Sequence, residues 1–131
     1  MIIGGIALAV IANMIIGAIY YSPLVALNIW KKLIPKKQKE GNPDGMIFLL
    51  LGSAVLSLIS SIVLFILMPQ FDIQSISQAA LFGFLVWLGF AMPAITVNNM
   101  YQQNPLLLSV IDTGYQLIGI VSMSVILYLF M

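Results

Sequence analysis

Asp112 is the one acidic or basic side chain inside an apolar run of this chain, so acid, base or cation chemistry within the membrane-spanning part would start from it. Helical i, i+3, i+4 spacing puts Ser109, Asp112, Thr113 and Gln116 on a shared face, with Tyr115 beside them. A carboxylate joined by the neutral oxygens of Asn98, Asn99 and Thr113 is a donor set suited to a small cation or a proton. The other reading of the same residues is an interior polar lock, hydrogen bonded within a bundle. Most familiar enzymology is excluded, because the chain has no histidine and no cysteine. Disulfides, thiol nucleophiles, imidazole acid/base steps and the usual zinc or haem ligand sets go with them. An activated serine or tyrosine would need a base, and Asp112 is the sole carboxylate available to the spans. The expectation is therefore a protein that is not an enzyme and holds no metal or cofactor.

Asp112 has to be positioned by membrane helices. Of 131 residues, 62% are hydrophobic and 7% charged, against roughly 25% charged in an ordinary globular domain. Polar surface could not cover that much apolar side chain in water. Runs long enough to cross a bilayer occur at 2–21, 46–68, 77–98 and 106–131. They are continuous rather than alternating, which favours helices over a barrel. The first run lacks a basic leader and is expected to be kept as a span rather than removed as a signal. The fold expected is one all-α transmembrane domain, a bundle of four helices with a short interfacial helix after the first span. Asn104 as N-cap with Pro105 at the first helical position predicts the start of the fourth. In the third, Pro93 has no N–H for the Gly89 carbonyl, which predicts a kink there. Such a kink is either structural or part of a broken-helix transport site.

Sidedness follows from Lys31, Lys32, Lys36, Lys37 and Lys39, all in the loop 22–45. The positive-inside rule places that loop in the cytoplasm and both termini on the opposite side of the cell membrane. Residues 23–34 mix apolar side chains with Trp30, Lys31 and Lys32, which suits a short helix lying in the interface. Lys31, Lys32, Lys36 and Lys37 are then expected against lipid headgroups, either as anchors or as a reader of anionic lipid. Without arginine or a folded platform the lysines give no support to nucleic-acid binding.

Within the first span Gly5, Ala9, Asn13 and Gly17 recur every four residues, and Ser53, Ser57 and Ser61 repeat the spacing in the second. Small-residue stripes allow close helix approach, and Asn13 can hydrogen-bond across the contact. The stripe is read as helix packing within one chain or as an oligomer interface. At about 1.5 Å per residue, Asp112 lies roughly 9–10 Å inside the start of the fourth span. The same topology brings Asn98 and Asn99 from span three, and Tyr20, Tyr21 and Ser22 from span one, to its level.

Three segments carry a family resemblance. Gly17-Ala18-Ile19-Tyr20-Tyr21-Ser22-Pro23-Leu24 with Trp30 downstream, Trp87-Leu88-Gly89-Phe90, and Asn99 to Leu108 followed by Ile111-Asp112-Thr113-Gly114-Tyr115-Gln116-Leu117 resemble the domain of unknown function 1761 family. The resemblance spans nearly the whole chain and implies a four-helix membrane protein with no assigned activity. Two positions depart from the family pattern: Gln116 stands where members often carry histidine, and Asp112 where they often carry asparagine. A hydrogen-bonding role survives that change; a role that needs an imidazole does not.

The function expected is that of a small structural or interaction protein in the lipid bilayer, one that forms a homo-oligomer or docks another membrane protein. The alternative is an oligomeric channel or carrier for a small cation, proton or small polar solute, built on the patch of Asp112, Asn98, Asn99, Thr113, Tyr115, Gln116 and Tyr21.

Overall fold

The structure is a computed structural model, and it describes residues 2–21, 29, 32 and 43–131. Helix α1 covers Ile2–Tyr20, and α2 covers Pro43–Leu67 with a 3-10 turn over Met68–Phe71 at its end. The third crossing has three parts: α3 over Ile76–Val86, a π turn over Trp87–Ala91, and α4 over Met92–Tyr101. Helix α5 covers Leu106–Leu129. Four stretches are long and apolar enough to cross a membrane: Ile2–Tyr20, Ile47–Phe71, Ile76–Tyr101 and Leu106–Leu129. The chain is an all-α, multi-pass membrane protein. The expected interfacial helix lies mostly outside the described residues.

Local chemistry explains the boundaries. Ser75 caps α3, its Oγ accepting from the Gln78 N–H at 3.1 Å while Gln78 Oε1 accepts from the Gln74 N–H at 2.7 Å. Such reciprocal bonds satisfy amides that a helix start leaves orphaned. Asp72 and Gln103 close the two short turns in the left-handed region, at φ 51° and 59°. Helix α5 begins one residue later than the Asn104-Pro105 pattern predicts, with Pro105 extended at ψ 145° as its N-cap and no side-chain cap. Asn104 turns instead toward α4, where its Nδ2 donates to Asn99 Oδ1 at 3.1 Å. The third crossing also runs past 98, so that Asn99 and Tyr101 are helical. At Pro93 the expected interruption takes the form of the π turn, in which the Met92 N–H reaches back five residues to the Trp87 carbonyl.

Helix α5 is the centre of the bundle and packs against α1, α2, α3, the π turn and α4. In its most apolar window 39% of residues are buried, against 11–17% in the other three spans. Helices α1 and α5 lie antiparallel. Gly5 meets Phe130, Asn13 meets Gly119, Gly17 meets Tyr115 and Tyr21 meets Asp112 along one continuous seam. Glycine is required at this approach: a Cβ on Gly5 would lie 2.7 Å from Phe130 Cβ. On the other flank a Cβ on Gly83 of α3 would lie 2.9 Å from Val121 Cα. Without a hydrophobic force between helices in lipid, this close packing holds the spans together. The apolar core of Ala9, Leu64, Met68, Ala79, Phe82, Met123 and Leu127 draws on all four crossings. It sits toward the C-terminal end of α5, while the N-terminal half buries Ser109 and Thr113 along with Leu108 and Ile111.

Candidate functional site

Near the N-terminal end of α5, the last residue of α1 and the one after it bring two tyrosines over that helix. The Tyr21 hydroxyl donates to Asp112 Oδ1 at 2.7 Å, and the Tyr20 hydroxyl donates to the Ile111 carbonyl at 2.6 Å. Tyr20 fits because residue 114 is glycine, whose missing Cβ would stand 2.7 Å from the Tyr20 hydroxyl. The Tyr115 ring completes a triangle, with ring centroids 5.9 Å from Tyr20 and 5.5 Å from Tyr21, while Tyr20 and Tyr21 are 5.2 Å apart. Edge-to-face contacts of this kind stiffen an aromatic cluster beyond simple area burial.

Beside the cluster lies a cavity of about 440 Å³. Its walls include Gly17 of α1 and Tyr21 just past its end, Leu49 and Ser53 from α2, and Asp112 and Tyr115 from α5. Deeper in the membrane a second polar contact closes the same three-helix seam. Asn13 Nδ2 donates to Ser57 Oγ at 2.6 Å, and the Tyr115 hydroxyl points to the Asn13 carbonyl at 3.5 Å. The stripe residues Gly5, Ala9 and Asn13 are buried and Gly17 is half-buried, all facing neighbours of the same chain. Of the serines, Ser57 and Ser61 are buried whereas Ser53 reaches the cavity.

The polar residues anticipated around Asp112 divide between two places. Tyr21, Asp112 and Tyr115 form the cavity wall. Asn99 belongs to a separate network on the far side of α5, its Nδ2 donating to Ser109 Oγ at 3.0 Å. Thr113 turns the same way; its Oγ1 donates to the Ser109 carbonyl at 2.7 Å, and its own carbonyl accepts from Trp87 Nε1 at 2.7 Å. Successive residues on a helix point about 100° apart, which sends Asp112 toward α1 and Thr113 toward the third crossing. Asn98 is exposed and Gln116 half-buried, outside both clusters. Sequence spacing missed the Trp87 to Thr113 bond, although a tryptophan at the interruption of a helix was a visible signal. Of the headgroup lysines, Lys32 is exposed, and Lys31, Lys36 and Lys37 lie outside the described residues.

Chemically, the cavity offers one carboxylate, two phenol hydroxyls and a serine hydroxyl among apolar walls. That combination can receive a small cation or a hydrogen-bonding solute. Among the described residues no cluster of three acidic side chains is present to hold a multivalent metal ion. No curated protein and no solved structure matches the chain. A family model described as a protein of unknown function (DUF1761) matches residues 5–128, and with nearly its whole length covered the chain belongs to that family.

Proposed function

We propose that this protein binds a small cation or small polar solute at the Asp112 cavity and passes it toward one face of the membrane, without performing chemistry on it. The observation that supports this reading is the location of Asp112. A carboxylate in the polar half of a membrane bundle, hydrogen bonded by Tyr21 at 2.7 Å, forms one wall of a cavity of about 440 Å³. Ionisable groups inside a membrane are costly and mark ion or solute paths. Asn13 and Asn99, like Asp112, are bonded to neighbouring segments of the same chain. Asp112 differs from them in carrying an ionisable group and in lining the cavity. With the lysine loop in the cytoplasm of a cell-membrane protein, the cavity belongs to the cytoplasmic half of the bilayer.

Flux in liposomes tests the proposal. Purified protein in liposomes should move potassium ions or protons, read by fluorescent dyes, above the rate of empty liposomes. Asp112→Asn keeps the shape and removes the charge, and it should abolish that flux. Wild-type flux equal to that of empty liposomes, or undiminished flux in Asp112→Asn, overturns the reading. A reporter on the C-terminus that is active in the cytoplasm would reverse the sidedness.

A further inference from the structure

The lining of the Asp112 cavity is poor in oxygen and rich in apolar surface. A metal ion stripped of its water needs about six or more oxygens, which membrane sites draw from carboxylates or bared backbone carbonyls. Here the side-chain oxygens are those of Asp112, Ser53, Tyr21 and Tyr115. The Tyr21 hydroxyl already donates to Asp112 Oδ1 at 2.7 Å, and the Tyr115 hydroxyl points to the Asn13 carbonyl at 3.5 Å. Met14, Ala18, Leu49 and Leu50 add only apolar side chains to the lining. That set falls short of a coordination shell.

The same lining suits a cation that carries its charge inside an organic shell. Tyr21 and Tyr115 stand beside the carboxylate as two rings with centroids 5.5 Å apart and planes at 68°, a corner of aromatic surface. Aromatic rings attract alkylated ammonium ions through their quadrupoles, and one counter-charge suffices because such an ion has no coordination shell to replace. At about 440 Å³ the cavity also falls in the range of about 300–1,000 Å³ typical of organic ligands. Its rim is exposed. Leu49 and Leu50 on the α2 side are 61% and 52% exposed, and Ala18 on the α1 side is exposed as well. They belong to the first turn of the Ile47–Phe71 crossing and the last turn of Ile2–Tyr20, the level at which an amphiphilic cation rests with its charge toward the headgroups.

Resting on the cation reading of this cavity, we propose that its ligand is a monovalent alkylammonium ion, from a free solute or a lipid headgroup. Its charge pairs with Asp112, and its alkyl groups lie against Tyr21, Tyr115 and Leu49.

Equilibrium binding of radiolabelled tetraethylammonium to the purified protein in an uncharged detergent tests it. One saturable site is expected, about tenfold or more tighter for tetraethylammonium than for tetramethylammonium because four added methylenes leave water. Potassium at the same concentration should not displace the label. Asp112→Asn should abolish saturable binding, and Tyr115→Leu should weaken it about threefold or more, whereas Tyr115→Phe keeps the ring and should bind as the wild type does. Leu49→Trp fills the cavity from an exposed position, leaves the carboxylate and both tyrosines in place, and should also abolish binding. Displacement of the label by phosphatidylcholine but not phosphatidylglycerol identifies a headgroup site; displacement by neither identifies a free solute. Absence of saturable binding, or binding unchanged in both Asp112→Asn and Leu49→Trp, overturns the proposal. So does displacement by potassium as readily as by tetramethylammonium. Proton flux in liposomes that depends on Asp112, without tetraethylammonium binding, overturns the ligand and leaves the cation reading of the cavity standing. Binding without flux supports the ligand and removes the passage.

Discussion

Asn13 and Ser57 meet at 2.6 Å in the interior of the bundle, the side-chain amide of α1 donating to the hydroxyl of α2. On the opposite side of Asn13, its Oδ1 presses against Gly119 of α5. One amide therefore sets the spacing of three helices, and its neighbours tolerate little change.

Gly119→Ala should destabilise the protein by about 1–3 kcal/mol, as overpacking of a close contact does. In an Asn13→Ala background most of that loss should vanish, because the side chain that the new methyl would strike is gone. Asn13→Ala alone removes the bond to Ser57 and should cost about 0.6–2 kcal/mol. Equilibrium unfolding of the four proteins in detergent measures the coupling, and simple additivity would contradict it.

Two other glycines form a matched pair. At Gly83 a methyl group would face Ser124 Oγ at 2.8 Å and the Val121 backbone at 2.9 Å, whereas at Gly52 it would meet nothing within 4 Å. Gly83→Ala should lose about 1–3 kcal/mol. Gly52→Ala should be neutral or gain up to about 1 kcal/mol from helix propensity. Thermal unfolding of each variant in the same detergent decides the order.

The turn between α4 and α5 is held by Asn99. Its side chain joins Ser109 and Asn104, and the Asn104 N–H donates to the Asn99 carbonyl at 2.9 Å. Asn99→Ala leaves Ser109, 2% exposed, without that partner. Hydrogen exchange over 102–109 should accelerate by about tenfold or more, the factor for a local loss of about 1.4 kcal/mol. Residues of α1 should exchange at unchanged rates, which separates local opening from general unfolding.

Tyr20 and Tyr21 are adjacent yet their hydroxyls do different work. Tyr20 donates to a backbone carbonyl and Tyr21 to the Asp112 carboxylate. Tyr20→Phe should cost about 1 kcal/mol of stability and leave flux in liposomes unchanged. Tyr21→Phe removes a bond from the carboxylate at the cavity wall, so its flux should fall below that of Tyr20→Phe. Equal flux in the two variants would count against a role for that hydroxyl at the site.

How much of this was readable in one dimension varies from residue to residue. Hydropathy located all four crossings, since a run of apolar residues is a local property that needs no neighbour. The four-residue repeat from Gly5 to Gly17 announced a packing face, and Pro93 announced an interruption. What replaced the regular turn at Pro93 was not readable, because a kink and a π turn both answer a missing N–H.

The division of the polar patch belongs to the tertiary structure alone. Ser109, Asp112, Thr113 and Gln116 share a broad arc of α5, and spacing by itself could not tell where one contact ends and the next begins. In water the polar side of a helix marks its exposed face, but here the helices are apolar nearly all round and no such mark exists. Only the central position of α5, between α1 on one flank and the third crossing on the other, sends Asp112 to Tyr21 and Thr113 toward Trp87. The sequence by itself determined that this is a four-span protein with one carboxylate in its spans. Packing against three neighbours at once decided which cavity that carboxylate faces.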